Sequence, residues 1–389
     1  MLLYLSDMVR GDLFNPVNGE SLLEKHLSEQ GGTYWNNAFT PAPDTPRSVA
    51  CLLSGMYPKG HGVSTRGCGL LESFDSGNPS LFKLISDSGV PVGVWRSQQE
   101  IEENFWLPRD CLDAVEQFSK KEDVVKWANN KEDFLLYRHQ NSYHNLVEFA
   151  KNFKNPHKTG LDTVYYDFIE TQKISNFDSI WFFSDHGCIF PRESIDAKDL
   201  LNDNRTKIAL FKLEKEGAKR VTKNNKLCAI FDLYPTILSQ MGISFRNIGI
   251  DGLDLNSKSE HSQIWIDDWL SLHPGDFEIP SLYVKKNLDS TVMYIDGDFF
   301  LKSPNNELIE LDSRDKNQLE IDFNKHFTHF RLARNTQRRR ITINQCAEIN
   351  KRQIFDTIFY FIPNFVRFIQ AKKIVLNLFY KNYTFKFRR

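Results

Sequence analysis

Apolar-rich runs at residues 2–6, 90–95, 134–137, 178–184 and 207–213 predict short strands, and residues 34–40 a strand or extended stretch. Between them lie stretches with helical spacing. Residues 81–88 form an amphipathic pattern stopped by Gly89, and residues 229–241 form another that contains Asp232 and Pro235. Residues 48–54 are small and apolar, as a helix packed deep in a core would be, and Gly55 fits its end. Ahead of that helix, Pro41, Pro43 and Pro46 predict irregular backbone, because each biases its predecessor away from helix. Strands alternating with helices predict an α/β fold with a mostly parallel central sheet and helices on both faces. In such sheets ligands gather at the carboxyl ends of the strands. Asp7, His139 and Asp185 are each expected just past a strand end, so they can converge there.

The pattern changes near residue 280. Runs at 281–284, 292–295, 299–302 and 308–311 read as successive antiparallel strands, with Asp296-Gly297 as a hairpin cue. The expected organisation is an α/β catalytic domain over 1–280, a small β-subdomain over 281–330, and a tail over 331–389. No internal repeat is evident.

Composition narrows the class. With 41% hydrophobic and 25% charged residues in 389, the chain is globular and long enough for a large core. The 31 Phe imply a deep core or a sticky face. Six Cys without CxxC spacing read as free thiols in a reducing compartment. A strand beginning at residue 2 leaves no signal peptide to expect, and no long uncharged apolar run predicts a spanning helix. The net charge of −1 hides an asymmetry: residues 331–389 hold 14 Lys and Arg against only Glu348 and Asp356. An acidic body is joined to a basic tail, which implies different partners for each.

Three distant segments carry the candidate chemistry. Asp7 ends the first strand, Thr45 opens the small-residue helix, and Ser184-Asp185-His186-Gly187 follows the apolar strand at 178–184. An acid, an alcohol and an Asp-His pair are what a metal-activated alcohol nucleophile needs. Asp7, Thr45, Asp185 and His186 can form one four-ligand site. Oxygen acids with an alcohol and an imidazole suit one divalent ion, Mn²⁺ first, then Zn²⁺, then Mg²⁺ or Ca²⁺. The bland alternatives are that Thr45 only caps its helix and that Asp7 is a loop carboxylate.

These segments resemble the sulfatase branch of the alkaline phosphatase superfamily. Residues 6–12, Ser-Asp-Met-Val-Arg-Gly-Asp, are similar to its first-strand signature D-x-x-R-x-D. Residues 39–62 resemble its nucleophile segment, residues 182–187 its strand followed by S-D-H-G, and residues 230–238 its D-L-x-P-T-L helix. Asp251-Gly252-Leu253 and Glu310-Leu311-Asp312 match later landmarks, so the resemblance covers residues 1–320 in order. It implies a metal-dependent hydrolase or transferase with Thr45 in the nucleophile slot. Sulfatases carry Cys or Ser there, within C/S-x-P-x-R, and convert it to formylglycine. This chain has Thr45, Arg47 and Val49 at those positions, so no formylglycine is expected. The departure points to relatives that use an unmodified Thr on phosphorus, acting on phosphodiesters or phosphoglycerol-type esters. One acid of the family's usual pair is replaced by Ser6, and His186 stands where sulfatases often have Asn. The family places a histidine after the 134–137 strand, which makes His144 the candidate general acid and His139 a candidate substrate contact. Arg47 and His61 are candidates to hold phosphate oxygens, and Arg96 is a stand-in for a family lysine.

The tail resembles nothing in the family. Arg338-Arg339-Arg340, the aromatic run 354–369 and Lys372-Lys373 suit a helix lying on an anionic membrane surface. Protein packing or oligomer formation is the plainer reading, and nucleic acid the weakest. Together these features imply a cytoplasmic enzyme, peripheral on the inner face of a membrane. Its expected partner is a phosphorylated or sulfated saccharide, or a lipid-linked glycan precursor in polysaccharide biosynthesis. The rivals are a sulfuric ester hydrolase with an atypical site and a catalytically inactive glycan-binding module.

Overall fold

Leu2, Leu3, Tyr4 and Leu5 are all fully buried, and their alternation decides how the sheet is covered. In the computed structural model they form β1 (Leu2–Ser6), with Leu3 and Leu5 in one apolar cluster and Leu2 and Tyr4 in another. Successive strand side chains point to opposite faces, so both faces of the sheet need helices over them. The structure describes residues 1–63, 74, 79–103, 107–149, 153–190, 201–214, 220–244, 249–267, 282–295, 298–302 and 308–321.

The further strands of the large sheet are β2 (Gly32–Phe39), β3 (Val92–Trp95), β4 (Glu116–Phe118), β5 (Leu135–Gln140), β6 (Ser179–Phe183), β7 (Leu210–Glu214) and β8 (Val221–Ala229). The helices are α1 (Leu22–Gln30), α2 (Thr45–Ser54), α3 (Pro58–His61), α4 (Leu81–Asp87), α5 (Gln98–Glu103), α6 (Lys121–Ala128), α7 (Ser142–Phe149), α8 (Pro156–Gln172), α9 (Asp203–Thr206) and α10 (Leu233–Gln240). Among the described residues the strand order is β4-β3-β5-β1-β6-β7-β2-β8. Neighbours run parallel except at β7, which is antiparallel to β6 and β2. One face is packed by α2, α4 and α10 through Val49, Leu81 and Leu233. The other is packed by α1, α7 and α8 through Leu27, Tyr143 and Phe168. The expected α/β architecture is thus the observed one.

Three local differences matter for the site. The helix expected at 48–54 starts at Thr45, with Pro46 in its first turn. A proline is tolerated there because the N–H it lacks has no helical partner. The strand expected at 134–137 runs on to Gln140, so His139 lies within β5 and not beyond it. The helix expected at 229–241 is a 3-10 turn over Ile230–Asp232 followed by α10.

A second sheet is antiparallel: β9 (Ile264–Asp267), β10 (Leu282–Lys286), β11 (Thr291–Ile295), β12 (Asp298–Lys302) and β13 (Leu308–Glu310), in the order β13-β12-β11-β10-β9. Its first strand precedes residue 281. The Asp296-Gly297 turn and the whole basic tail, 331–389, lie outside the described residues. Cys51, Cys111, Cys188 and Cys228 are buried and outside any disulfide among the described residues. Among the described residues no helix is long and apolar enough to cross a membrane.

Candidate active site

Strand register brings the distant segments together. β1 pairs with β5 on one side and β6 on the other, so Leu5 faces both His139 and Phe183. Two positions further along, Asp7 and Asp185 emerge from the carboxyl edge, and Asp7 N–H donates to Gln140 O at 2.9 Å. Met8 holds a left-handed φ of 65°, uncommon for a residue with a side chain. In that conformation its N–H donates to Asp185 Oδ1 at 3.1 Å, which ties the turn after Asp7 to the second carboxylate. His186 N–H donates to the same oxygen at 2.9 Å.

Thr45 reaches this edge from the start of α2. The helix cap is Asp44, whose carboxylate accepts from Arg47 N–H, so the Thr45 hydroxyl is not spent on capping. Ser48 Oγ, one turn on, donates to Asp185 O at 2.7 Å and fixes the helix start against the second loop. Thr45 Oγ1 then stands 3.3 Å from His186 Nε2. That nitrogen is also 3.5 Å from Asp185 Oδ2 and 3.8 Å from Asp7 Oδ1. His186 Nδ1 lies 2.7 Å from Gly187 O, a contact that puts the ring proton on Nδ1 and leaves the Nε2 lone pair turned to the cluster.

Asp7, His139 and Asp185 each offer a ligand atom, all within 4.8 Å of one another and all buried. Two carboxylates at 4% and 0% exposure are costly without a compensating cation. Asp185 Oδ2 is buried with no hydrogen-bond partner in the protein. Oxygen and imidazole donors so arranged fit a divalent metal. His139 is held by Glu100, whose Oε1 hydrogen-bonds His139 Nδ1. A carboxylate on one ring nitrogen is the usual support of a histidine that ligates through the other. Burial raises the Glu100 carboxyl, but the charge and hydrogen bond of His139 and the Ser97 N–H outweigh it and hold it well below the usual range. Nothing in the sequence marks Glu100, which sits in an acidic run that reads as solvated. His144 is at the mouth, 33% exposed, with Nδ1 3.6 Å from Asp7 Oδ2.

The other candidates lie to the side. Arg47 is fully buried on Asp44, with Nε 2.7 Å from Oδ2. His61 is fully buried, with Nδ1 accepting from Val63 N–H at 3.1 Å and Nε2 3.4 Å from Cys51 Sγ. Burial and the Arg47 charge lower its pKa to about 3, so it is neutral. Arg96 is fully buried, with Nε 3.2 Å from Gln117 Oε1. Arg10 and Asp12 form a two-pronged ion pair at 3.0 and 2.6 Å. Asp232 accepts from Ala229 and Leu253 N–H and from His261, and so joins loops far from the cluster in sequence.

Acid, alcohol and imidazole thus stand at the carboxyl edge of an eight-stranded, mostly parallel sheet. The sulfatase family model matches residues 5–243, and the chain belongs to that family. Sulfatase-family enzymes use a metal ion, and the Asp7–His139–Asp185 group is where this chain can hold one. Solved structures share the fold at low identity. A 2-O GAG sulfatase has 14% identity and a TM-score of 0.66, covering 87% of this chain and 93% of its own. The phosphonate monoester hydrolase of Silicibacter pomeroyi has 11% identity and a TM-score of 0.60, covering 84% and 94%. An enzyme solved with D-glucosamine-2-N,6-O-disulfate has 11% identity and a TM-score of 0.60, covering 85% and 98%. No curated protein matches the sequence.

Proposed function

We propose that this chain is a metal-dependent phosphoester hydrolase or transferase in which Thr45 is the nucleophile. The observation that carries the reading is the Thr45 hydroxyl, free of capping duty and 3.3 Å from His186 Nε2 beside two buried carboxylates. Asp7, Asp185, His139 and His186 would hold the cation. When bound, it lowers the pKa of an alcohol and neutralises charge on phosphoryl oxygens. The Thr45 hydroxyl, beside that cluster, releases its proton to water. Thr45 Oγ forms a bond to phosphorus as the bond to the leaving oxygen breaks, and His144 at the mouth gives that oxygen a proton. Water or a sugar hydroxyl then displaces the Thr45 oxygen. A glycan precursor is the substrate that suits the reading. Peripheral contact of the tail with the inner face of a membrane would bring it to lipid-linked forms.

A sulfate ester is the second reading, because a neighbour of this fold was solved with a sulfated glucosamine. A panel of p-nitrophenyl phosphomonoester, phosphodiester and sulfate, with each metal in turn, separates the two. The phosphodiester is expected to turn over fastest and Thr45→Ala to abolish it. Sulfate as the best substrate, or unchanged turnover in the variant, removes the proposal.

A further inference from the structure

A cavity of about 490 Å³ opens between α9 and the β10–β11 hairpin. Its wall includes Arg10, Asp12, Asn204, Lys207, Lys286 and Asn287. Most of the charges there are matched. Arg10 is forked onto Asp12, and Lys286 is paired with Asp203 at 2.5 Å. Asp289 is exposed at the rim, at the tip of the hairpin. Lys207 differs. It is half-buried, and its ammonium makes no hydrogen bond or ion pair among the described residues. Burial lowers its pKa, with Asp203 and Asp12 opposing that shift and Lys286 and Lys223 adding to it. A half-buried cation whose ammonium makes no direct hydrogen bond or ion pair favours an anion from outside. The wall also keeps spare polar capacity. Asn204 and Asn287 each bury an amide oxygen that has no hydrogen-bond partner in the protein.

We infer that this cavity binds the anionic substituent of a saccharide, with Lys207 as its charge partner and the amides of Asn204 and Asn287 meeting hydroxyls. The volume suits a sugar-sized ligand. The cavity is also coupled to the cluster. Gly11 N–H donates to Lys207 O at 3.1 Å, four residues after Asp7, and Gly187 N–H donates to Arg205 O at 2.8 Å, next to His186. A Cβ on Gly187 would lie 2.0 Å from Asn204 O, so only glycine lets α9 approach so closely. The segment 205–207 is thus hydrogen-bonded to the loops that follow Asp7 and His186. The reaction at Thr45 comes from the esterase reading above, whereas the charge and polarity of this ligand come from the cavity alone.

Calorimetric titration of the full chain with glucuronate and with glucose tests the assignment, since neither is an ester that the enzyme can consume. Glucuronate is expected to bind at least about tenfold more tightly than glucose. Lys207→Met should remove that preference, Lys207→Arg should retain it, and Asp185→Asn should leave it in place. In a second measurement on the unsubstituted chain, trace acetylation read by peptide mass spectrometry should find Lys207 shielded by glucuronate. Equal affinity for both sugars, no glucuronate binding, an unaltered preference in Lys207→Met, or unshielded Lys207 overturns the inference. Turnover by Thr45→Ala reports separately on the esterase reading and is independent of these readouts.

Discussion

Thr45 Oγ1 and His186 Nε2, 141 positions apart in sequence, meet at 3.3 Å. The meeting depends on Ser48, which pins the first turn of α2 to the backbone of Asp185. Replacing Ser48 with Ala removes that link and leaves Asp185 O without this donor. A buried acceptor stripped of its partner costs about 1–3 kcal/mol. The expected outcome is a lower urea midpoint together with slower turnover of a p-nitrophenyl phosphodiester. A variant of unchanged midpoint and rate would mean that the helix start is held by other contacts.

Metal content follows from the buried carboxylates. Purified protein should carry stoichiometric divalent metal by elemental analysis, and Asp185→Asn should lose it. Protein that is metal-free after loading, yet binds glycans tightly, would favour a non-catalytic glycan-binding module.

Glu100 acts through His139. Glu100→Gln keeps the shape but removes the charge that supports the imidazole. Loss of such an outer partner lowers metal affinity by about 10- to 100-fold. Competition with a chromogenic chelator measures it, and an affinity equal to that of the unsubstituted chain would take Glu100 out of the site.

Two buried histidines set an acid limit on the fold. Burial, with Arg47 nearby, lowers His61 to about 3, and burial, with Arg10 nearby, lowers His157 to about 4. In the unfolded chain both titrate near ~6.5. Between these values the unfolded state binds protons that the folded state does not, so stability falls as pH falls. Their contribution is whole above about pH 6.5 and erodes below it, by at most about 1.4 kcal/mol per pH unit for each group. Urea midpoints from pH 7 to pH 5 should decline, and His157→Gln should make the decline shallower. A flat profile would contradict the burial of both rings as neutral groups.

Much of this arrangement is legible in the sequence. Asp7 and Asp185 follow apolar runs that can only be buried strands, and parallel register then places both at one edge. Asp44 lies among prolines, so the true cap of α2 is not visible in the sequence. His139 was expected beyond its strand because Arg138 and His139 break the apolar pattern. In the fold Arg138 reaches Asp167 at 2.9 Å and stacks on Trp95, which lets β5 continue through it. Glu100 meets His139 across 39 positions, a pairing that no local pattern encodes.

The most direct measurement is acid-quenched mass spectrometry of the metal-loaded protein during turnover of bis-p-nitrophenyl phosphate. Loss of p-nitrophenolate on attack should leave a p-nitrophenylphosphoryl group on the peptide that contains Thr45, and Thr45→Ala should carry none. Steady turnover with Thr45 unlabelled, or with the adduct on another side chain, would contradict the account.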